Sequence, residues 1–188
     1  MNADKLNEPS KEIYSETGIQ YMDDSFTNDI EETVTSVLDR FEVEYEIVRV
    51  DPKYADTAVF CEQYGYELEH CGNTIIVASK KEPKQFAACI VKGSDRLDVN
   101  KTVRKLMGVS RLSFASPDET KSLTGMMIGG VTPFALPDDM PIYADTNLLE
   151  MEYLILGSGS RSSKLIIQPN SISKIPNVTL VKGIAISR

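Results

Sequence analysis

The chain has 188 residues, of which 41% are hydrophobic and 26% charged, and a net charge of −8. This is the composition of one globular domain; no apolar run reaches the about 20 residues that cross a bilayer, no charged-then-apolar stretch opens the chain, and Cys61, Cys71 and Cys89 cannot all pair with one another, so a cytoplasmic protein with reduced thiols and no membrane partner is expected. Residues 1–70 carry 18 acids and 5 bases and residues 71–188 carry 10 acids and 15 bases, a split that suits contact with a few phosphates rather than broad duplex binding.

Residues 1–24 show no apolar period and read as a polar tail with a short docked piece around Ile19–Met22; residues 25–188 read as one domain. Ile30, Val34, Val37, Leu38 and Phe41 recur at helical spacing behind a Thr27 cap, with Asp29, Glu31 and Glu32 in the first turn. Tyr45–Val50 alternates as a strand that stops at Asp51-Pro52. Thr57–Tyr64 predicts a short helix with Gly65 past its end. Thr74–Ala78 and Phe86–Val91 are apolar runs flanking a turn, which predicts a hairpin of buried strands. Asp98 caps a helix carrying Val99, Val103, Leu106 and Met107 and closed by Gly108. Ser116-Pro-Asp-Glu119 is a capping box with proline at the first helical position, opening a helix that ends at Gly125. Short strands are expected near Met126–Ile128, Ile142–Ala144, Tyr153–Leu156, Leu165–Ile167 and Thr179–Ile184. Helices and strands mix without a strict alternation, so the fold class is α+β with a mixed, strongly curved sheet.

The chain has one histidine, His70, so a Ser-His-Asp or Cys-His site would have to use it. Adjacent strand residues point to opposite faces, which separates His70 from Cys71. Cys61, His70 and Cys71 lack zinc-site spacing, and the cysteines read as buried apolar positions. Two glycine loops remain. In Gly125-Met-Met-Ile-Gly-Gly-Val-Thr-Pro133 the paired glycines let backbone approach a ligand, or simply make a tight turn. In Gly157-Ser-Gly-Ser-Arg-Ser-Ser-Lys164, small residues, hydroxyls and two cations suit a phosphate or ribose, and suit a hairpin loop equally.

Taken together, Gly72-Asn-Thr-Ile-Ile-Val-Ala, Phe86-Ala-Ala-Cys-Ile-Val, Arg96-Leu-Asp-Val-Asn-Lys, Phe114-Ala-Ser-Pro, Leu123-Thr-Gly-Met-Met-Ile-Gly-Gly-Val-Thr-Pro and Gly157-Ser-Gly-Ser-Arg resemble, in this order, the YbaK/ProX family over about residues 43–185. These are stand-alone aminoacyl-tRNA deacylases and editing domains associated with prolyl-tRNA synthetases. The resemblance implies a barrel-like curved sheet flanked by helices. It also implies a trans-editing hydrolase that cleaves the ester between a wrong amino acid and the terminal ribose of tRNA. Gly129, Gly130, Val131, Thr132 and Pro133 are then the loop that holds the ester carbonyl. Asn73, Gly157, Ser158, Gly159 and Arg161 are its substrate-binding partners. Water, a substrate group or a tRNA hydroxyl attacks, and no cofactor or metal is implied. The partners implied are the acceptor end of an aminoacyl-tRNA and an aminoacyl-tRNA synthetase. Asn73 is a departure, because relatives commonly carry Lys there. The alternative is therefore a non-catalytic binding module for aminoacyl-tRNA or a synthetase; a weaker third is hydrolysis of another small acyl ester.

Overall fold

The computed structural model describes residues 24–187, with side chains from Asp29 onward. All but the last residue of the expected polar tail, including Ile19–Met22, lie outside the described residues. Helix α1 (Asp24–Arg40) starts earlier than expected, so Thr27 lies within it rather than capping it. Its expected apolar face is real: Val34 and Leu38 are fully buried, with Ile30, Val37 and Phe41 packed beside them.

Strand β1 (Tyr45–Arg49) and helix α2 (Thr57–Tyr64) follow. Gly65 ends α2 in the left-handed region, at φ 74°. Strands β2 (Gly72–Ser79) and β3 (Phe86–Lys92) form the expected antiparallel hairpin, with Thr74 opposite Ile90 and Ile76 opposite Ala88. After β4 (Arg96–Leu97), the Asp98 carboxylate accepts from the Lys101 and Thr102 N–H groups. The turn it caps, Val99–Val103, is π-wound before α3 (Arg104–Leu106), so the expected α-helix has a wide first turn.

The remaining elements are β5 (Leu112–Phe114), α4 (Pro117–Thr124), β6 (Ile142–Asp145), β7 (Leu154–Gly157), β8 (Ser163–Ile167), β9 (Val178–Val181) and β10 (Ala185–Ile186). The capping box of α4 is complete, with Ser116 Oγ accepting from the Glu119 N–H and the Glu119 carboxylate accepting from the Ser116 N–H. Removing that cap by Ser116→Ala should lower stability by about 1 kcal/mol in urea or thermal melts; an unchanged midpoint would show that the box adds nothing. The expected strand at Met126–Ile128 is a turn. The Met126 N–H is taken by Thr124 Oγ1 and the Gly130 N–H by the Met127 carbonyl, which curls the segment away from ladder pairing.

Among the described residues the strands form three sheets, of order β5-β2-β3-β6-β9, β1-β8-β7 and β10-β4. The first is mixed, since β6 runs parallel to both β3 and β9. The α+β expectation holds, but the strongly curved, barrel-like part is corrected: among the described residues no sheet closes on itself or curls strongly. The two larger sheets meet through one isolated bridge, Cys71 to Ile155. They pass so closely there that a Cβ on Gly72 would lie 2.7 Å from Leu156 Cδ2. The main core fills the space between α1 and these sheets, with Ile90, Ile142, Leu154 and Leu165 at its centre. A smaller cluster under α2 holds Phe60, Cys61, Cys71 and Ile155.

Candidate functional site

Beyond the bridge, β2 separates from the ends of β7 and β8, and a cavity of about 370 Å³ opens there. Small-molecule sites span about 300–1,000 Å³. One wall is β2, through Gly72, Asn73, Thr74, Ile75 and Ile76. The other is built from Gly129, Val131, Gly157 and Lys164, with Asp56 and Thr57 at the start of α2 closing one end. Phe114 and Ile128 stand at its edge, 59% and 50% exposed.

The two glycine loops touch backbone to backbone. The Gly159 N–H donates to the Gly130 carbonyl at 2.8 Å. A Cβ on Gly130 would strike the Ser160 carbonyl, and one on Gly157 would strike the carbonyls of Gly130 and Val131. Only glycine permits that approach. Gly130 is thus bonded at both ends of its residue, its N–H to Met127 and its carbonyl from Gly159. Among the described residues the Gly129 and Val131 N–H groups have no protein partner, and both residues line the cavity.

Of the residues singled out from sequence, Asn73, Gly129, Val131 and Gly157 line the cavity. Thr57 Oγ1 donates to Asn73 Oδ1 at 2.6 Å, which leaves the Asn73 Nδ2 group to donate elsewhere. The others stand behind this lining. Thr132 is fully buried, and Pro133 faces a separate groove beside Val37 and Phe41. Ser158 Oγ donates to the Ser163 carbonyl, and Gly159 packs on Ile30 and Val34. Arg161 clasps Asp56 Oδ1 at 3.1 Å and the carbonyls of Ile128 and Pro52 at 2.6 and 2.9 Å. Glu31 of α1 accepts from Ser160 Oγ and Ser163 Oγ, each at 2.6 Å, and from Arg49 at 2.7 Å. These contacts tie the second glycine loop to α1 and α2.

Two features escape the sequence. One is the Ala55–Thr57 segment, which reads only as a helix start. The other is the depth of Lys164, which reads as a loop cation because the expected strand begins at Leu165. The strand in fact begins at Ser163. Leu165 and Ile167 face the main core, so Lys164 shares the opposite face with Ile166, under α2. Lys164 is 5% exposed, and its Nζ donates to the Ala55 and Gly129 carbonyls at 2.7 Å each.

Burial pushes the Lys164 ammonium down to about 8; Arg161 adds to the effect, while Cys71, Asp56 and Cys61 oppose it. In the unfolded chain it would titrate near 10.5. Above 10.5 both states are neutral and the folding contribution is complete; it is lost as pH falls through about 8, where the folded state must bury a charge. Stability of the wild type relative to Lys164→Met should therefore rise by roughly 3 kcal/mol between these limits. Parallel melts across that range check it, and a constant difference would place Lys164 in water.

His70 is outside the cavity lining and stacks on Tyr153, with ring centroids 4.2 Å apart. Cys61 and Cys71 face each other at 3.3 Å between sulfurs. Burial raises the Cys71 thiol far above its ordinary value and pushes Cys89 up to about 12, so both are protonated at neutral pH. Neither supplies a thiolate nucleophile.

Residues 51–175 match the aminoacyl-tRNA editing domain family, a span that contains the whole cavity lining. The chain belongs to this family. It is the YbaK/ProX group of editing domains. Among curated relatives, the uncharacterized protein YwhH of Bacillus subtilis is 27% identical over 131 residues, 70% of this chain and 81% of YwhH. The prolyl-tRNA editing protein ProX of Acetoanaerobium sticklandii is 22% identical over 152 residues, 78% of this chain and 90% of ProX. Among solved structures, hypothetical protein APE2540 superposes with a TM-score of 0.71 at 21% identity, covering 80% of this chain and 97% of that one. A candidate trans-editing enzyme for prolyl-tRNA synthetase superposes with a TM-score of 0.69 at 21% identity, covering 81% and 95%. The shared architecture of the editing domain is thus the fold described above. Among the described residues, no helix is long and apolar enough to cross a membrane.

Proposed function

We propose that this chain is a trans-editing hydrolase that removes a wrongly attached amino acid from tRNA by hydrolysing the ester at the terminal ribose. The observation that carries the reading is the single cavity onto which Asn73, the Gly129–Val131 backbone and Gly157 converge. An ester needs its carbonyl oxygen held by donors that point where charge develops. The Gly129 and Val131 N–H groups are such donors, and Gly130, Thr132 and Pro133 hold the loop that carries them. Asn73 Nδ2 donates to the ribose or to the ester. Gly157 makes room for the loop, while Ser158, Gly159 and Arg161 keep the second loop against it. The aminoacyl group enters between Thr74, Ile76 and Ala115, a lining of small and apolar side chains. The partner is the acceptor end of an aminoacyl-tRNA, in association with its synthetase, in the cytoplasm. Residues 25–188 act as one unit with 1–24 as a tail. No cofactor takes part.

Deacylation of a panel of mischarged tRNAs tests this. Turnover of at least one member, lost in Gly157→Val, is expected. Binding without turnover by the wild type, with turnover appearing only in Asn73→Lys, would replace this reading with the non-catalytic binding module.

A further inference from the structure

We infer that Lys164 is the cation that touches the substrate: its ammonium group holds the ester oxygen during hydrolysis. The inference rests on the deacylase reading above and adds a residue to it. An ammonium group has three N–H donors. The Ala55 and Gly129 carbonyls take two of them. The third has no protein partner among the described residues, and Lys164 lines the cavity. Among the described residues no other lysine lines it.

The position follows from the strands. Lys164 is paired with Gly157 across β7 and β8, so it rises directly beside the residue that admits the Gly130–Val131 carbonyls. Its bond to the Gly129 carbonyl sets that peptide next to the unpartnered Gly129 and Val131 N–H groups. Around the ammonium stand the Asp56–Arg161 ion pair, the two thiols Cys61 and Cys71, and the Phe60 ring, 5.7 Å from Nζ to its centroid. Asp56 is already paired with Arg161, and Cys71 stays protonated. Among the described residues the carboxylate that lines the cavity, Asp56, is thus already committed to Arg161, and the buried Lys164 charge has no ion pair of its own. Such a charge is costly unless an anion comes to it. The oxyanion of a tetrahedral intermediate is that anion.

In the step itself a water oxygen bonds to the acyl carbon, and the carbonyl π pair moves onto oxygen. Lys164 donates its third N–H to this oxyanion and keeps its proton. The pair then returns, the bond to the ribose oxygen breaks, and that oxygen takes the proton the water has lost. The products are the free amino acid and the ribose hydroxyl.

The test combines turnover with a direct view of the amine. Wild type and Lys164→Met are compared on the mischarged-tRNA panel, with folding of the variant checked by melts. The loss expected is 10²–10³ in kcat, as for an oxyanion donor. Wild-type rate enhancement over the uncatalysed ester should fall as pH rises above about 8, and that fall should vanish in the variant. A purely structural lysine would not give this profile. In Lys164→Ala, methylamine should restore part of the rate. Independently, the Lys164 side-chain NMR signal of the wild type should shift when a non-hydrolysable 3′-aminoacylamido-adenosine is added. Turnover that survives Lys164→Met within threefold overturns the inference and leaves the deacylase reading standing. No wild-type turnover, with the NMR shift present, overturns the deacylase reading and keeps Lys164 as the ligand-holding cation. Neither turnover nor shift overturns both.

Discussion

Gly130→Val should abolish ester turnover, and it should also cost the fold about 3 kcal/mol or more. If the loop met only the substrate, a Cβ here would push the ester carbonyl off its donors and spare the fold. The structure moves the collision elsewhere. The new Cβ would meet the Ser160 carbonyl and its carbon, and lie 3.0 Å from the Gly159 carbonyl, all backbone atoms that cannot rotate away. Overpacking that a side chain can absorb costs about 1–3 kcal/mol, and rigid backbone sits at or above the top of that range. The Gly159 to Gly130 hydrogen bond at 2.8 Å would break as the loops part. The Gly129 and Val131 donors would then lose their placement opposite Gly157. Turnover on the best tRNA substrate and a urea melt, taken on one preparation, check both halves. A stable protein with normal turnover would show that loop contact is dispensable.

The elements that local chemistry dictates were legible from the residues. The Ser116 capping box, the Gly65 and Gly125 helix ends and the β2–β3 hairpin all stand where the sequence placed them, because each depends on residues close in the chain. The pairing of Asn73 with both glycine loops was legible only through the family resemblance, since residues 73, 129 and 157 share no local pattern. What stayed hidden depends on packing between distant segments. Met126–Ile128 has the apolar run of a strand, yet Thr124 and Gly130 take its backbone into a turn. Lys164 follows a run of serines and reads as solvated until α2 covers its face of β8. Arg161 reads as a phosphate ligand, but the Asp56 carboxylate and two carbonyls converge on it from two separate segments, 52–56 and the turn at Ile128. The barrel-like sheet fails for a similar reason: alternation predicts strands, while the number of bridges between sheets depends on how β2 passes β7.

Glu31→Ala should loosen the second glycine loop and lower turnover at least tenfold without touching the cavity lining. One carboxylate gathers two serine hydroxyls of residues 160 and 163 and the Arg49 guanidinium, with 12% of its side chain exposed. Hydrogen bonds to a charged, half-buried group are worth about 1.5–3 kcal/mol each in favourable cases. Their loss leaves the Ser163 hydroxyl buried and dependent on Ser158 Oγ alone. Burial acts to raise the Glu31 pKa, but the bonds from Ser160, Ser163 and Arg49 outweigh it and hold the carboxyl below its ordinary 4.5. A carboxyl lowered on folding contributes stability that is present above its unfolded value and lost as pH falls through the folded one. The wild type should therefore lose stability below about pH 4.5 more steeply than Glu31→Gln, which keeps the shape and cannot ionise. The serines sit four and one residues before Lys164 and Arg49 pairs with Ser163 across β1 and β8, so the anchor reaches the ammonium through one strand. Glu31→Ala should thus lower kcat more than it raises KM, because it disturbs the groups that meet the ester and leaves the Phe114 and Ile128 rim intact. Equal pH–stability curves for wild type and Glu31→Gln, or a change confined to KM, would show that α1 covers the loop without positioning it.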